Sequence, residues 1–548
     1  MGTDTKRRLA TAAVFLVAAT AGSRILGLVR EIVQVSYLGM GAQMSAFTAA
    51  QKLPNLIRAL LADSALSAAF IPIFSALLQK EKRREAWQLA YTVSIIVAVV
   101  LGLVSILGVV FAPQVVRFVA PGFKPDMIAL TTSLTRIAFP QLIFLGLAGI
   151  TMGILNSYDH FSTPAIAPIV WNVIVVVSLI AFSSIMGYTA PGGGIKNSGF
   201  EILAWATFAG TVVQLLNQVP SVWKRRWRGT GDRLGLNIRD PALLQMAAIL
   251  GPVMISLGII NFNTLVDTQF ASLLADKGAV AYIDKAFRLF QLPQGVFAIA
   301  VGTVLFPAFS RHAAANRMKE LRDDLSIGLR QVFFATLPFS AFIAVLALPT
   351  VRLIYQHGQV TPQEAKMVAI ALEFFSIGMA FVSVNTLLNR AFYSIHKSWL
   401  PLIVGVANLA LNAALDWAFY KPLGVGGITL STSLVSLLNF FALMFLLRPR
   451  IGGVDAWRVG WTAVRSVIAL IPLSVVAYAS WWELDKLLGR ALWAQVVSLG
   501  VAYVAGTAVY LLAAWALRMP EPREIVRLTR RRRDPHETES VLESEPRD

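Results

Sequence analysis

Arg24, Arg58 and Arg288 stand inside long apolar runs, where a permanently charged side chain is expensive. Arg30 and Glu31 share the first of these runs, Lys52 and Asp63 flank Arg58, and Asp284 and Lys285 precede Arg288. Leu-Pro steps at Pro54 and Pro293 lie beside Arg58 and Arg288, and a proline removes a helical hydrogen bond. Arginines aimed at one cavity repel one another until a large anion joins them. The guanidinium keeps its charge at any working pH and grips a phosphate through two parallel N–H donors. The pattern therefore predicts a site for a phosphate or pyrophosphate headgroup. The competing reading is local pairing, Arg30 near Glu31 and Arg58 with Asp63, or snorkelling to an interface.

A second group is acidic. Asp267 lies in an apolar run, Asn412 and Asp416 are one helical turn apart, and Thr432 follows Gly426 and Gly427. Two carboxylates, an amide and a hydroxyl are hard oxygen ligands, suited to a small cation or a proton. The same residues would also serve as a hydrogen-bonded polar seam between helices. Cys is absent, and His160, His312, His357, His396 and His536 all lie in or beside polar connections. No catalytic relay, Gly-rich phosphate loop or metal-binding His pair is expected, so the chain is not expected to be an enzyme.

The elements that carry these residues are set by composition. Of 548 residues, 56% are hydrophobic and 14% charged, with mean hydropathy +0.65. Soluble domains carry about 25% charged residues. A membrane span needs about 20 apolar residues, and fourteen such runs occur between residues 9 and 517, among them 44–77 and 127–155. The formal charge of +18 is then no sign of nucleic acid. Basic groups follow alternate runs, at Lys80 to Arg84, Lys224 to Arg239, Arg311 to Arg322 and Arg448 to Arg458, with Lys6 to Arg8 and Arg530 to Arg533 at the ends. All fall on one side if every run spans, which puts both termini in the cytoplasm. The first run resembles a signal peptide, but its helical pattern continues past Ser23 to Tyr37, as in a retained span.

The runs repeat. Pro54 and Pro72 match Pro293 and Pro307, Arg117 matches Arg352, and Pro164 matches Pro401, at separations of 235 to 239 residues. Six runs separate the copies, so both have one orientation, a parallel repeat about an axis along the membrane normal. The expected fold is an all-α polytopic membrane protein of fourteen helices. It has an N-lobe of helices 1–6 (residues 1–220), a C-lobe of helices 7–12 (221–447), a helix pair (448–517) and a charged tail (518–548).

The stretch Ser23, Arg24, Gly27, Arg30 and Glu31, followed by Lys52, Pro54, Asn55 and Arg58 and then Phe70 and Pro72, resembles the MurJ/MviN lipid II flippases. These belong to the multidrug/oligosaccharidyl-lipid/polysaccharide exporter superfamily. Pro121, Gly122, Asn156 and the segment Arg288 to Gly295 fit the same family. The resemblance covers essentially the whole chain. It implies two six-helix lobes, a last helix pair lining a groove for a lipid tail, and residence in the bacterial inner membrane as a monomer. It also implies alternating-access transfer of undecaprenyl-pyrophosphate-linked disaccharide-pentapeptide, lipid II, to the outer leaflet. Substrate contact falls on Arg24, Arg30, Asn55, Arg58 and Arg288, and a sodium site on Asp267, Asn412, Asp416, Thr432 and the Ile428 carbonyl. One departure is Ser45, where the family often has an acidic residue.

The alternative is another superfamily transporter, a polysaccharide-lipid flippase or a cation-coupled drug exporter, whose cargo would call for fewer arginines and more acidic or aromatic residues. The span count is checked by topology. Reporters fused after Arg533 and within 221–240 should read cytoplasmic, and one at Gly193 external; a single inverted signal means a span was missed.

Overall fold

The computed structural model describes residues 3–60, 64–186, 197–227 and 235–522, and among these no strand occurs. Asp63, Gly193 and Arg530 to Arg533 lie outside the described residues. The first helices in chain order are α1 (Thr3–Leu38), α2 (Ala42–Arg58), α3 (Ser64–Gln79), α4 (Arg83–Val110), α5 (Ala112–Val119), α6 (Pro125–Ala138) and α7 (Gln141–Ser157). Next come α8 (Ser162–Met186), α9 (Asn197–Trp227), α10 (Pro241–Ser272), α11 (Ala279–Ala314) and α12 (Met318–Tyr355). Last are α13 (Pro362–Ser394), α14 (Trp399–Leu423), α15 (Val425–Ile451), α16 (Ala456–Leu488) and α17 (Leu492–Ala516).

Ten segments among the described residues are long and apolar enough to cross a membrane: α4, α6 with α7, most of α8 and α9, and α12 to α17. Run 44–77 holds α2 and α3, with residues 61–63 between them outside the described residues, and run 127–155 is built from two helices, α6 and α7. Pro140 supplies the break between α6 and α7, since its ring cannot continue α6. Ser105 Oγ donates to the exposed end of that helix, the Phe139 carbonyl, at 2.9 Å. Gly108 makes room for the Phe139 ring, because a Cβ there would lie 2.1 Å from it. The short α5, opened by Pro113 near its start, was not anticipated.

The chain divides into two compact units. The first comprises Met1–Asp284, Ile354–Met367 and Asn412–Ile428. Its core includes Phe70, Phe74 and Trp87, all nearly inaccessible. Phe70 and Phe74 stack at 5.0 Å, and Trp87 Nε1 donates to Tyr158 Oη at 3.2 Å. The segment before α13 grips the end of α1. Gln359 N donates to Ser36 O at 2.9 Å, and Glu364 Oε1 accepts from Met40 N at 3.3 Å. Gly358 is in the left-handed region at φ +60°, with room for no Cβ beside Ser36 O, so only glycine fits there.

The second unit comprises Lys285–Leu353, Val368–Leu411 and Thr429–Asp548. Leu325, Leu329, Val332, Leu388, Phe392 and Leu443 pack α12, α13 and α15 into one core. In α12, Leu346 leaves helical geometry (φ −110°, ψ 21°) three residues before Pro349, the place where a proline bends a helix. The pair α16 and α17 is seated on α12 by polar contacts at several levels. Tyr510 Oη donates to Phe334 O at 2.9 Å, and Tyr503 and Thr350 share a hydrogen bond of 3.3 Å. Glu521, just past α17, is wholly buried and accepts from Arg330 Nη1 at 3.2 Å and Thr462 Oγ1 at 2.8 Å.

Removing one partner of a buried ion pair strands a charge at a cost of about 3–5 kcal/mol, whereas replacing both is often neutral. Glu521→Leu or Arg330→Met alone should therefore lower the thermal midpoint of the purified protein. The double substitution should unfold above either single one, and additive losses would show that the pair does not act as a unit.

Candidate functional site

The charges of the first unit sit in distinct surroundings. Arg24 is exposed on α1, and Asn55 is exposed on α2. Arg58 is the last residue of α2 and half-buried. Arg30 is ion-paired with Glu31, and its guanidinium carbon lies 4.5 Å from the centre of the Trp171 ring. The expected local pairing of Arg30 with Glu31 is thus present, while the pairing of Arg58 with Asp63 falls outside the described residues. Lys52 Nζ and Asp284 Oδ1 are 3.1 Å apart, with side chains 19% and 15% exposed. That pair joins α2 to α11, so Lys52 adds little net charge to its surroundings. Arg288, in the second unit, is exposed on α11, while Lys285, three residues before it, is buried.

Ser45 has a defined structural task. It is wholly buried, and its Oγ accepts a hydrogen bond from Ala281 N at 3.1 Å. Ala281 is in the first turn of α11, where backbone N–H groups have no partner within the helix. Ser45 therefore caps α11 from another helix. A carboxylate at the same position would meet the same N–H groups and their positive helix end, so serine retains the hydrogen bond and drops the charge.

The acidic group converges as the sequence suggested for three of its members. Asn412 Nδ2 donates to Asp267 Oδ1 at 2.7 Å and to Asp416 Oδ2 at 3.0 Å. Asn412 and Asp416 are wholly buried and Asp267 is 7% exposed. Ile428 is buried in the same unit, and Thr432 belongs to the second unit. The Asn412 carbonyl oxygen is buried without a hydrogen-bond donor. No group of three or more His, Asp or Glu side chains placed to hold a metal ion occurs among the described residues. The donor set is nonetheless all oxygen, with two carboxylates and an unsatisfied amide oxygen, which fits a hard monovalent cation.

Outside the spans, His160 lies between α7 and α8, with Thr163 Oγ1 2.8 Å from its Nε2. Burial, reinforced by Arg225, holds its imidazole below the ordinary value. It is therefore a neutral hydrogen-bonding group at neutral pH and takes no part in the charged sites.

Two features escaped the reading of the sequence. Trp171 looked like any aromatic residue of an apolar helix, and nothing in its spacing pointed to Arg30. The Lys52–Asp284 pair was accessible in principle, since two opposite charges inside apolar runs each need a partner. Their separation of 232 positions along the chain hid which partner it was.

Helices of this length, broken by proline and bearing buried and half-buried charge, define a polytopic membrane protein. A solved structure titled as a multidrug resistance MATE family transporter of the MOP superfamily, inward-facing, aligns with TM-score 0.65 at 15% identity, covering 80% of this chain and 98% of that one. One titled lipid II flippase MurJ, inward closed conformation, aligns with TM-score 0.75 at 22% identity, covering 94% of this chain and all of that one. A sequence model described as lipid II flippase MurJ matches residues 34–498. The chain belongs to the MurJ family of lipid II flippases. It is 30% identical over 460 residues to the lipid II flippase MurJ of Burkholderia cenocepacia, covering 83% of this chain and 86% of that one. It is also 30% identical over 507 residues to the probable lipid II flippase MurJ of Rhizobium tropici, covering 91% and 92%. Arg58, Arg288 and the acidic group fall inside the family match, while Arg24 and Arg30 precede it.

Proposed function

We propose that this protein is a lipid II flippase of the bacterial inner membrane, carrying the pyrophosphate-linked precursor from the cytoplasmic to the outer leaflet by alternating access. The family match over residues 34–498 is the observation that carries this reading. Arg24, Arg30, Arg58 and Arg288, with Asn55, bind the headgroup. The half-buried positions of Arg30 and Arg58 weaken solvent competition and strengthen each charge-assisted hydrogen bond. The disaccharide and peptide stay in a wet cavity, and the prenyl tail stays in lipid beside α16 and α17. The cargo is moved without covalent change, both termini are cytoplasmic, and one chain suffices. A drug exporter with cationic cargo fits less well, because positive charges would meet a positive ligand.

A small cation, sodium or a proton, is held by Asp267 and Asp416 with Asn412, Thr432 and the Ile428 carbonyl. The buried acidic group and the unsatisfied Asn412 oxygen support this. Two buried carboxylates repel unless a cation or a proton joins them. A cation bound there stabilises only the conformation that binds it better.

Arg24→Ala, Arg58→Ala and Arg288→Ala should each abolish growth of cells depleted of their own lipid II flippase, with the protein still present in the membrane. Lysine at the same positions should rescue poorly because the planar fork is lost. Normal growth with all three replaced would exclude the headgroup site. For the cation, thermal stability should rise with sodium at constant ionic strength, with choline as the replacement. The gain should shrink as pH falls and protons compete, and it should vanish in Asp267→Asn or Asp416→Asn. The lack of any sodium-specific shift in wild type at any pH would make these residues a structural polar seam.

A further inference from the structure

The Trp171 ring is held from one side and used from the other. On the α9 side, its Nε1–H is shared between Thr207 O and Thr211 Oγ1, both at 3.2 Å. Thr211 Oγ1 in turn donates to Thr207 O at 2.9 Å, and Thr207 Oγ1 accepts from Gln141 Nε2 at 3.4 Å. Gly210 leaves the space for the indole, because a Cβ there would sit 2.9 Å from Trp171 Cδ1 and 3.3 Å from the Trp171 carbonyl. Three helices thus fix the ring's place: α8 carries it, α9 receives it, and α7 braces the receiving threonine. On the α1 side, the ring's face meets the Arg30 guanidinium at 4.5 Å.

Stacking occupies the flat face of a guanidinium and leaves its edge, where the N–H donors lie, available. In this structure part of that edge is taken by Glu31, whose side chain is 5% exposed against 13% for Arg30. A phosphate that takes the same N–H donors must draw them away from Glu31. Once Glu31 lets go, an arginine without another support is a long flexible chain that must be ordered again. The indole face is a support that does not compete for the N–H donors.

We propose that Trp171 is a positioning residue for the anionic headgroup. It holds the Arg30 guanidinium in one plane while its N–H edge passes from Glu31 to a phosphate or pyrophosphate oxygen. Gly210 and Thr211 act through it by setting the ring. This rests on the flippase reading and extends it to a residue that never touches the cargo.

The test uses the full chain in nanodiscs and measures binding of lipid II, with undecaprenol as a probe lacking the pyrophosphate. Trp171→Leu should weaken lipid II binding about tenfold, the order expected for a desolvated cation–π contact. Trp171→Phe keeps an aromatic face and should stay within about threefold of wild type. Undecaprenol binding should not change in either. Arg30→Ala combined with Trp171→Leu should bind no worse than Arg30→Ala alone. A purely structural tryptophan would instead give losses that multiply in the double variant, and that result overturns the inference. So does a Trp171→Leu protein that binds as wild type does. Should Trp171→Leu fail to fold, Gly210→Ala decides the matter, since it crowds the indole and should weaken binding in the wild-type background but not beside Arg30→Ala. A wild type that does not bind lipid II overturns the flippase reading and this inference with it, whereas a binding wild type with an indifferent Trp171→Leu overturns this inference alone.

Discussion

A charge placed among apolar helices must find a partner, because the surroundings solvate it poorly and an unpaired ion is costly. Several charged groups inside the helical body answer that demand, each in its own way. Lys52 answers it with Asp284, Arg330 with Glu521 and Thr462, and Arg30 with Glu31 and the face of Trp171. The Asp267–Asp416 pair shares one amide, Asn412. These partnerships fix which helices lie together: α2 with α11, α12 with α16 and α17, α1 with α8, and α10 with α14.

The partnerships differ in how easily they are exchanged. Glu521 is wholly buried and bonded to Arg330 and Thr462, so that pair serves as a fixed rivet for the C-terminal helix pair. Arg30 retains some exposure, and its partners include Glu31 at its N–H edge and the Trp171 ring at its face. An anion can replace the first without disturbing the second.

Local backbone choices put these groups where they are. Pro140 splits one run into α6 and α7, Ser45 caps α11 from another helix, and Gly358 lets the segment before α13 close over the end of α1. At each, a backbone group that an apolar medium would leave stranded finds a partner: Phe139 O from Ser105 Oγ, Ala281 N at Ser45 Oγ, and Ser36 O from Gln359 N. The Ser45 contact also shows why a neutral residue serves there: the position needs a hydrogen-bond acceptor for Ala281 N, and a hydroxyl oxygen is one.

The sequence by itself determined the membrane class, the all-helical architecture and the family. Those properties are one-dimensional. Apolar run length, proline spacing and the motif from Ser23 to Arg58 survive without coordinates. Even the convergence of Asn412 and Asp416 was legible, because four residues make one helical turn. Tertiary structure alone decided the partners. That Lys52 meets Asp284, that Glu521 seats the last helix pair, and that Arg30 lies on Trp171 depend on how helices far apart in the chain pack. Side-chain type constrains a buried charge to have a partner, but only packing selects which one.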